Sequence, residues 1–247
     1  MEQNQCVFEY GNFGNGYLKI VVPKGVNNLN SSEIFIDLRD YQIENGVITK
    51  IDDIIVRIKE EIQKLGISSL SKIILLLRCC DTYHTVLTLP VKNRLQAKFL
   101  YNKAIKTRVN HDKFQPVNNY YNYGAGYIFN TYCISKEVIS SFSKIAKRLG
   151  AEISHVKPFG MSLCDSLSHK GNYVYFYIMK KTCTMIFVSD MNLVTSYDFE
   201  FENSKTIMNM FLLVASKYEF EYNYQPITHY GISSDEEIEL NLGLSKL

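Results

Sequence analysis

Six cysteines, five histidines, a lysine pair at a strand turn and a run of basic residues on one helix are the groups with chemistry to offer. Cysteines stand at 6, 79, 80, 133, 164 and 183, with no C-x-x-C and no paired histidine spacing. A zinc site needs four ligands in clustered pairs, so buried free thiols in a reducing compartment are the expectation. His84, His111, His155, His169 and His229 are scattered and lack a Cys or Ser partner at any nucleophile spacing, which makes them surface or satisfied core residues. Lys92, Arg94, Lys98, Lys103, Lys106 and Arg108 crowd one predicted helix. Such a helix could meet anionic lipid, an acidic partner tail or nucleic acid, against the plainer reading of a solvated face. Tyr120, Tyr121, Tyr123, Tyr127 and Tyr132 offer the amphipathic area that interfaces favour, against the plainer reading of strand packing. "SDEE" at 234–237 predicts a helix N-terminus, with Ser233 or Ser234 as cap and acids in the first turn; a metal site there is the lesser alternative.

These groups must be held by elements that the apolar pattern predicts. Strands are expected at 5–11, 17–23 and 33–39, the first two broken by Gly11, Gly14 and Gly16. Ile51, Ile54, Ile55, Ile58, Ile62 and Leu65 form the stripe of a helix stopped by Gly66. "KIILLLR" at 72–78 is apolar on both faces, as a central parallel strand would be. The last third repeats that order. Three strands, "YVYFYIM", "CTMIFVSD" and "LVTSYDFEFE", precede a helix carrying Ile207, Phe211, Val214 and Tyr218, capped by Asn203 or Ser204. A short strand follows at 226–232, so βββαβ occurs twice. Met179, Lys180 and Lys181 form the turn of the first hairpin of the second repeat. Between the repeats lie a strand at 84–90, the basic helix, one or two tyrosine-rich strands around Gly124 and Gly126, a helix at 136–149 with Gly150 as its cap, a strand at 151–158 and a short helix.

Composition narrows the function classes. The chain has 247 residues, 46% hydrophobic and 21% charged, which suits one compact domain or two small ones with a sizeable core. A net charge of +2 does not mark a nucleic-acid binder. The longest apolar runs are far short of the ~20 residues of a membrane span. The N-terminus has no basic region followed by an apolar core, so no signal peptide is expected, and the cytosol is the expected compartment.

Two βββα units with a small domain inserted after the first resemble the actin-like, ribonuclease H-like superfamily, an α/β fold. The first hairpin, "NFGNGYLK", resembles the D-x-G-x-x-x-x-K-like turn of its bacterial PilM and FtsA branches, with Asn12 at the acid, Gly14 at the glycine and Lys19 at the lysine. "IENGVITKIDDIIVRIKEEIQKLG", "KIILLLRCCDTYHTVLTLPVKNRLQAKFLYNKAI" and "YCISKEVISSFSKIAKRLGAEISHVKPFGMSL" resemble successive PilM-type segments. The resemblance implies a first subdomain of 1–81 and 150–170, an inserted α+β subdomain of 82–149 and a shortened second subdomain of 171–247.

An active relative holds Mg²⁺ through a carboxylate and wraps the nucleotide phosphates in two glycine turns. Here Asn12 stands for the first acid and brings no charge; Glu9 is a poorly placed substitute. In the second turn, Thr184 aligns with the expected threonine, which puts Ile178 at the acid and Lys180 at the glycine. Ile178 cannot ligate a metal, and Lys180 carries a Cβ where close backbone approach wants none. The expected Gly-Gly near the base is reduced to Gly231. Catalysis is therefore expected to be lost and nucleotide binding with it, although Lys180 and Lys181 could still meet phosphate as point charges. ATP is disfavoured and no cofactor or metal is expected.

The resemblance then implies a non-catalytic cytoplasmic scaffold, closest to PilM of type IV pilus and type II secretion machines, binding the cytoplasmic tail of a membrane partner. The alternatives are a degenerate FtsA-like division protein that binds the division-ring protein, and an active actin-like ATPase. The acidic tail lacks FtsA's basic amphipathic end. Partner contact or self-association is expected on the insert, through Lys98, Lys103, Lys106, Tyr121 and Tyr123, with no nucleic acid involved.

Overall fold

The computed structural model describes residues 5–13, 16–24, 30–41, 43–78, 83–123, 126–222, 226–235 and 237–247. Alternating apolar positions open the chain as an antiparallel meander of β1 (Gln5–Gly11), β2 (Tyr17–Lys24) and β3 (Asn30–Asp37). A 3-10 turn (Arg39–Tyr41) and a short ribbon, β4 (Ile43–Glu44) with β5 (Val47–Ile48), lead into α1 (Ile51–Lys64). Ile54, Ile55, Ile58 and Ile62 of α1 are buried, the stripe that the 3.6-residue period demands. Gly66 ends the helix at φ +74, a conformation that a Cβ disfavours.

β6 (Lys72–Arg78) enters the middle of the sheet, and the chain leaves it through β7 (Tyr83–Leu89), α2 (Arg94–Arg108), β8 (Phe114–Tyr123) and β9 (Gly126–Ser135). It returns by α3 (Lys136–Arg148) and β10 (Glu152–Pro158). The first sheet has five strands in the order β3-β2-β1-β6-β10, with β6 parallel to both neighbours. Burial on both faces is why "KIILLLR" shows no alternation. Phe8, Tyr10, Leu18, Ile20 and Ile36 of this sheet share one core with the buried faces of α1 and α3.

The remaining elements are α4 (Phe159–Asp165), β11 (Asn172–Met179), β12 (Thr182–Ser189), β13 (Asn192–Glu200), α5 (Ser204–Tyr222), β14 (His229–Ser234) and β15 (Ser245–Lys246). The second sheet runs β13-β12-β11-β14-β15, again three antiparallel strands followed by parallel neighbours. Phe176 and Phe187 meet Phe211 of α5 with ring centroids 6.2 and 6.3 Å apart. Asn203 caps α5 by accepting from the Thr206 amide.

Contacts cluster into two units, 1–159 and 160–247. Two boundaries differ from the sequence reading. The helix at 136–148, placed in the insert by the 82–149 division, buries Val138, Phe142 and Ile145 in the core of the first sheet. The insert's own three-stranded sheet, β7-β9-β8, instead packs on α2. Helix α4, placed in the first subdomain by the 150–170 division, falls in the second unit from Gly160 onward, where Gly160 lies close to Ser196 and the Cys164 thiol reaches the Met191 carbonyl. A third difference concerns "SDEE". Ser233 and Ser234 finish β14, and among the described residues no helix follows. Acids suited to a helix start also suit a solvated strand end, and backbone pairing with β11 decides between them.

Candidate functional site

The β1–β2 turn is the first place the sequence marks for phosphate. A Cβ on Gly11 would collide with the Tyr17 ring, and Gly16, at φ +72, lies against Ile43. Both glycines thus accommodate the protein's own side chains. Asn12 is nearly buried and its amide donates to the Arg78 carbonyl at 3.3 Å. Gly14 lies outside the described residues. Lys19 pairs with Glu33 of the neighbouring strand at 3.0 Å.

Beneath this turn lies a charged cluster that the motif alignment does not contain. Glu9 of β1 and Arg78 of β6 are both buried, with Arg78 Nη1 3.6 Å from Glu9 Oε1. The Tyr17 hydroxyl joins them, donating to Glu9 at 2.7 Å and accepting from Arg78 Nη1 at 2.7 Å. The guanidinium also lies over the rings of Tyr17 and Phe159, at 5.9 and 5.3 Å from their centroids. Burial pushes the Glu9 carboxyl above its ordinary range, against the opposing pull of Arg78, Tyr17 and Lys19. Burial, with the Glu9 charge beside it, drives the Tyr17 phenol well up. In the sequence, Glu9 stands near the turn and Arg78 closes an apolar run, but their pairing joins residues far apart in the chain and has no local signal.

The second marked place is the β11–β12 turn. Lys180 and Lys181 adopt φ of +47 and +62, the left-handed pair of a type I′ hairpin, in which Asn-Gly or Gly-Gly is usual. The Lys180 amide donates to the Asp235 carboxylate, 3.2 Å from the nearer oxygen, and the Asp235 amide donates to the Ile178 carbonyl at 3.3 Å. The Thr182 hydroxyl donates to the Met179 carbonyl at 2.6 Å. Thr184 is fully buried and its hydroxyl donates to the Asp198 carboxylate across the ladder. Ile178, at the expected acid position, is a buried core residue. Asp235 went unread because it sits in the run assigned to a helix start.

On the insert, Lys98 lies 5.1 Å above the Tyr120 ring, while Arg94 Nε donates to the Tyr120 hydroxyl at 2.8 Å. Lys103 and Lys106 are exposed; Tyr121 is buried and the side chain of Tyr123 lies outside the described residues. Tyr132 is buried with its ring stacked 4.6 Å from His84. Cys6, Cys133, Cys164 and Cys183 are buried and unbridged, and burial raises the Cys6 and Cys164 thiols to about 12, far from a reactive thiolate. Cys79 and Cys80 lie outside the described residues.

No protein-family model matches the chain, and no curated protein matches it in sequence. Solved structures match it in fold. The cytoplasmic domain of EpsL, an inner-membrane component of the type II secretion system of Vibrio cholerae, is 8% identical and superposes with a TM-score of 0.63, covering 98% of this chain and 87% of that one. A chain of a PilM–PilN type IV pilus biogenesis complex is 7% identical with a TM-score of 0.64, covering 94% and 81%. With two five-stranded sheets wired in the same order and an insert after the first crossover, this chain has the actin-like fold.

Proposed function

We propose that this protein is a non-catalytic actin-like scaffold of the PilM kind, holding the cytoplasmic tail of a membrane partner and lying peripheral to the inner face of a cell membrane. The observation that carries this reading is the filling of both turns by the chain's own groups. Asp235 takes the Lys180 amide that a phosphate would want, and Asp198 takes the Thr184 hydroxyl. Under the first turn, the Glu9 carboxylate and the Tyr17 hydroxyl both engage Arg78 Nη1. Phosphoryl transfer needs positioned cations and free donors, and charges already neutralised inside the chain supply neither. Likeness to EpsL and PilM structures over nearly the whole chain supports the assembly context. No helix among the described residues is long and apolar enough to cross a membrane.

Titrating the protein with Mg·ATP in a calorimeter should give no binding heat. Tight binding that Gly14→Val abolishes would return the ATPase reading. Immobilised tail peptides test the other half: the tail of a single-pass membrane protein encoded beside this chain should retain it, and the C-terminal tail of the division-ring protein should not. The reverse pattern would replace the scaffold reading with the FtsA-like one.

A further inference from the structure

The most exposed large apolar side chains among the described residues are Leu95 and Phe99, at 78% and 69%, one turn apart on α2. Their exposure is built into the helix. Asn93 caps α2 by accepting from the Leu95 and Gln96 amides, which fixes Leu95 in the first turn. Ala97, Tyr101 and Ile105 take the inward face, where the Tyr101 ring stacks 4.4 Å from Phe129 and its hydroxyl meets Thr131 at 2.9 Å. At 100° per residue, Leu95, Phe99, Lys103 and Lys106 then fall together on the opposite face, and Lys92 stands just before the helix cap. All five are exposed.

Charge on this segment is one-sided. Residues 92–113 hold seven lysines and arginines against a single acid, Asp112, although the whole chain is only +2. The helix itself contains no acid. Around the apolar pair the cations are carried on long aliphatic stems, which can lie along an apolar surface while their heads stay in water. The face is a single convex helix side. Arg94 lines a cavity of about 560 Å³ along β8, but neither Leu95 nor Phe99 does. A folded acidic partner would have to bring a socket for two protruding side chains. A bilayer interface accepts them without one, and its anionic headgroups match the ring of cations.

We infer that the outer face of α2 is a docking surface for an anionic phospholipid membrane, with Leu95 and Phe99 inserted at the headgroup–acyl boundary and Lys92, Lys103 and Lys106 on the headgroup phosphates. This contact is separate from tail binding: a chain that bound vesicles and no peptide would keep it and remove the scaffold reading, and the converse holds.

The protein contains no tryptophan, so Phe99→Trp in the full chain introduces a single indole reporter at the centre of the face. Mixed with phosphatidylcholine vesicles carrying about a third phosphatidylglycerol at low salt, it should shift its emission to the blue, and co-sedimentation should exceed that with pure phosphatidylcholine by about tenfold or more. Binding should fall as salt rises. Leu95→Gln with Phe99→Gln, and separately Lys103→Glu with Lys106→Glu, should each weaken vesicle binding by at least about tenfold. These sites are solvent-exposed, so an unchanged circular dichroism spectrum and melting temperature would confirm that both double variants remain folded. Equal partition onto neutral and anionic vesicles, an unshifted emission on anionic vesicles, or retention by either folded double variant would overturn the inference. The same blue shift with polyglutamate in place of vesicles would overturn it in favour of an acidic protein partner.

Discussion

The two five-stranded sheets share one wiring and close their first hairpins by opposite means. In the first, glycines at 11 and 16 make room for Tyr17 and Ile43, and a buried Glu9–Tyr17–Arg78 cluster lies beneath the turn. In the second, the turn residues are lysines held at positive φ, with Asp235 bonded to the Lys180 amide. One hairpin is organised from below by buried charge; the other is held at its tip by a surface carboxylate. The same backbone topology therefore does not dictate how a turn is satisfied, and the two turns should fail in different ways.

The largest difference should come from the buried cluster. Arg78→Met alone, or Glu9→Leu alone, leaves one charge uncompensated and should cost about 3–5 kcal/mol in urea unfolding. The double variant Glu9→Leu with Arg78→Met should recover most of that, because a well-packed apolar pair replaces a desolvated ionic one. Single variants within about 1 kcal/mol of the parent would break the contrast by making the cluster as dispensable as a surface pair. In the second unit, Thr184→Val removes the hydroxyl that bonds the Asp198 carboxylate and should lose about 1–3 kcal/mol. Lys180→Asn with Lys181→Gly gives the second hairpin the favoured type I′ pair and should raise stability by about 1 kcal/mol. A loss instead would mean that the lysine side chains hold the turn themselves.

The smallest effect separates the turns by pH. Because burial raises the folded Glu9 value above its unfolded one, its contribution is fully present below the ordinary carboxylate range and is lost as pH rises through the raised value. Urea midpoints of the parent, compared with Glu9→Gln between mildly acidic and neutral pH, should fall behind those of the variant as pH increases. A widening gap in the opposite sense would show that Arg78 outweighs burial.

The repeat was legible because each element carries its own period. The α1 isoleucines, the unbroken apolar run of β6 and the apolar stripe of α5 declare helix or buried strand over a few residues. Local signals also located both hairpins. They misplaced "SDEE", since a short acidic run suits a helix start and a strand end alike. The assignment of α3 and α4 to their cores was illegible too, because an apolar face declares that it will be buried but not against which sheet.

By itself, then, the sequence determined the order of elements, the places of the two hairpins and the concentration of positive charge on one helix. These follow from residue type and spacing along a local backbone. Tertiary structure alone decided that Arg78 meets Glu9 and Tyr17, that Asp235 reaches the Lys180 amide, and that Leu95 and Phe99 stay uncovered. Each of these depends on which strand or helix comes to lie beside another, through pairings between residues far apart in the chain that no local pattern encodes.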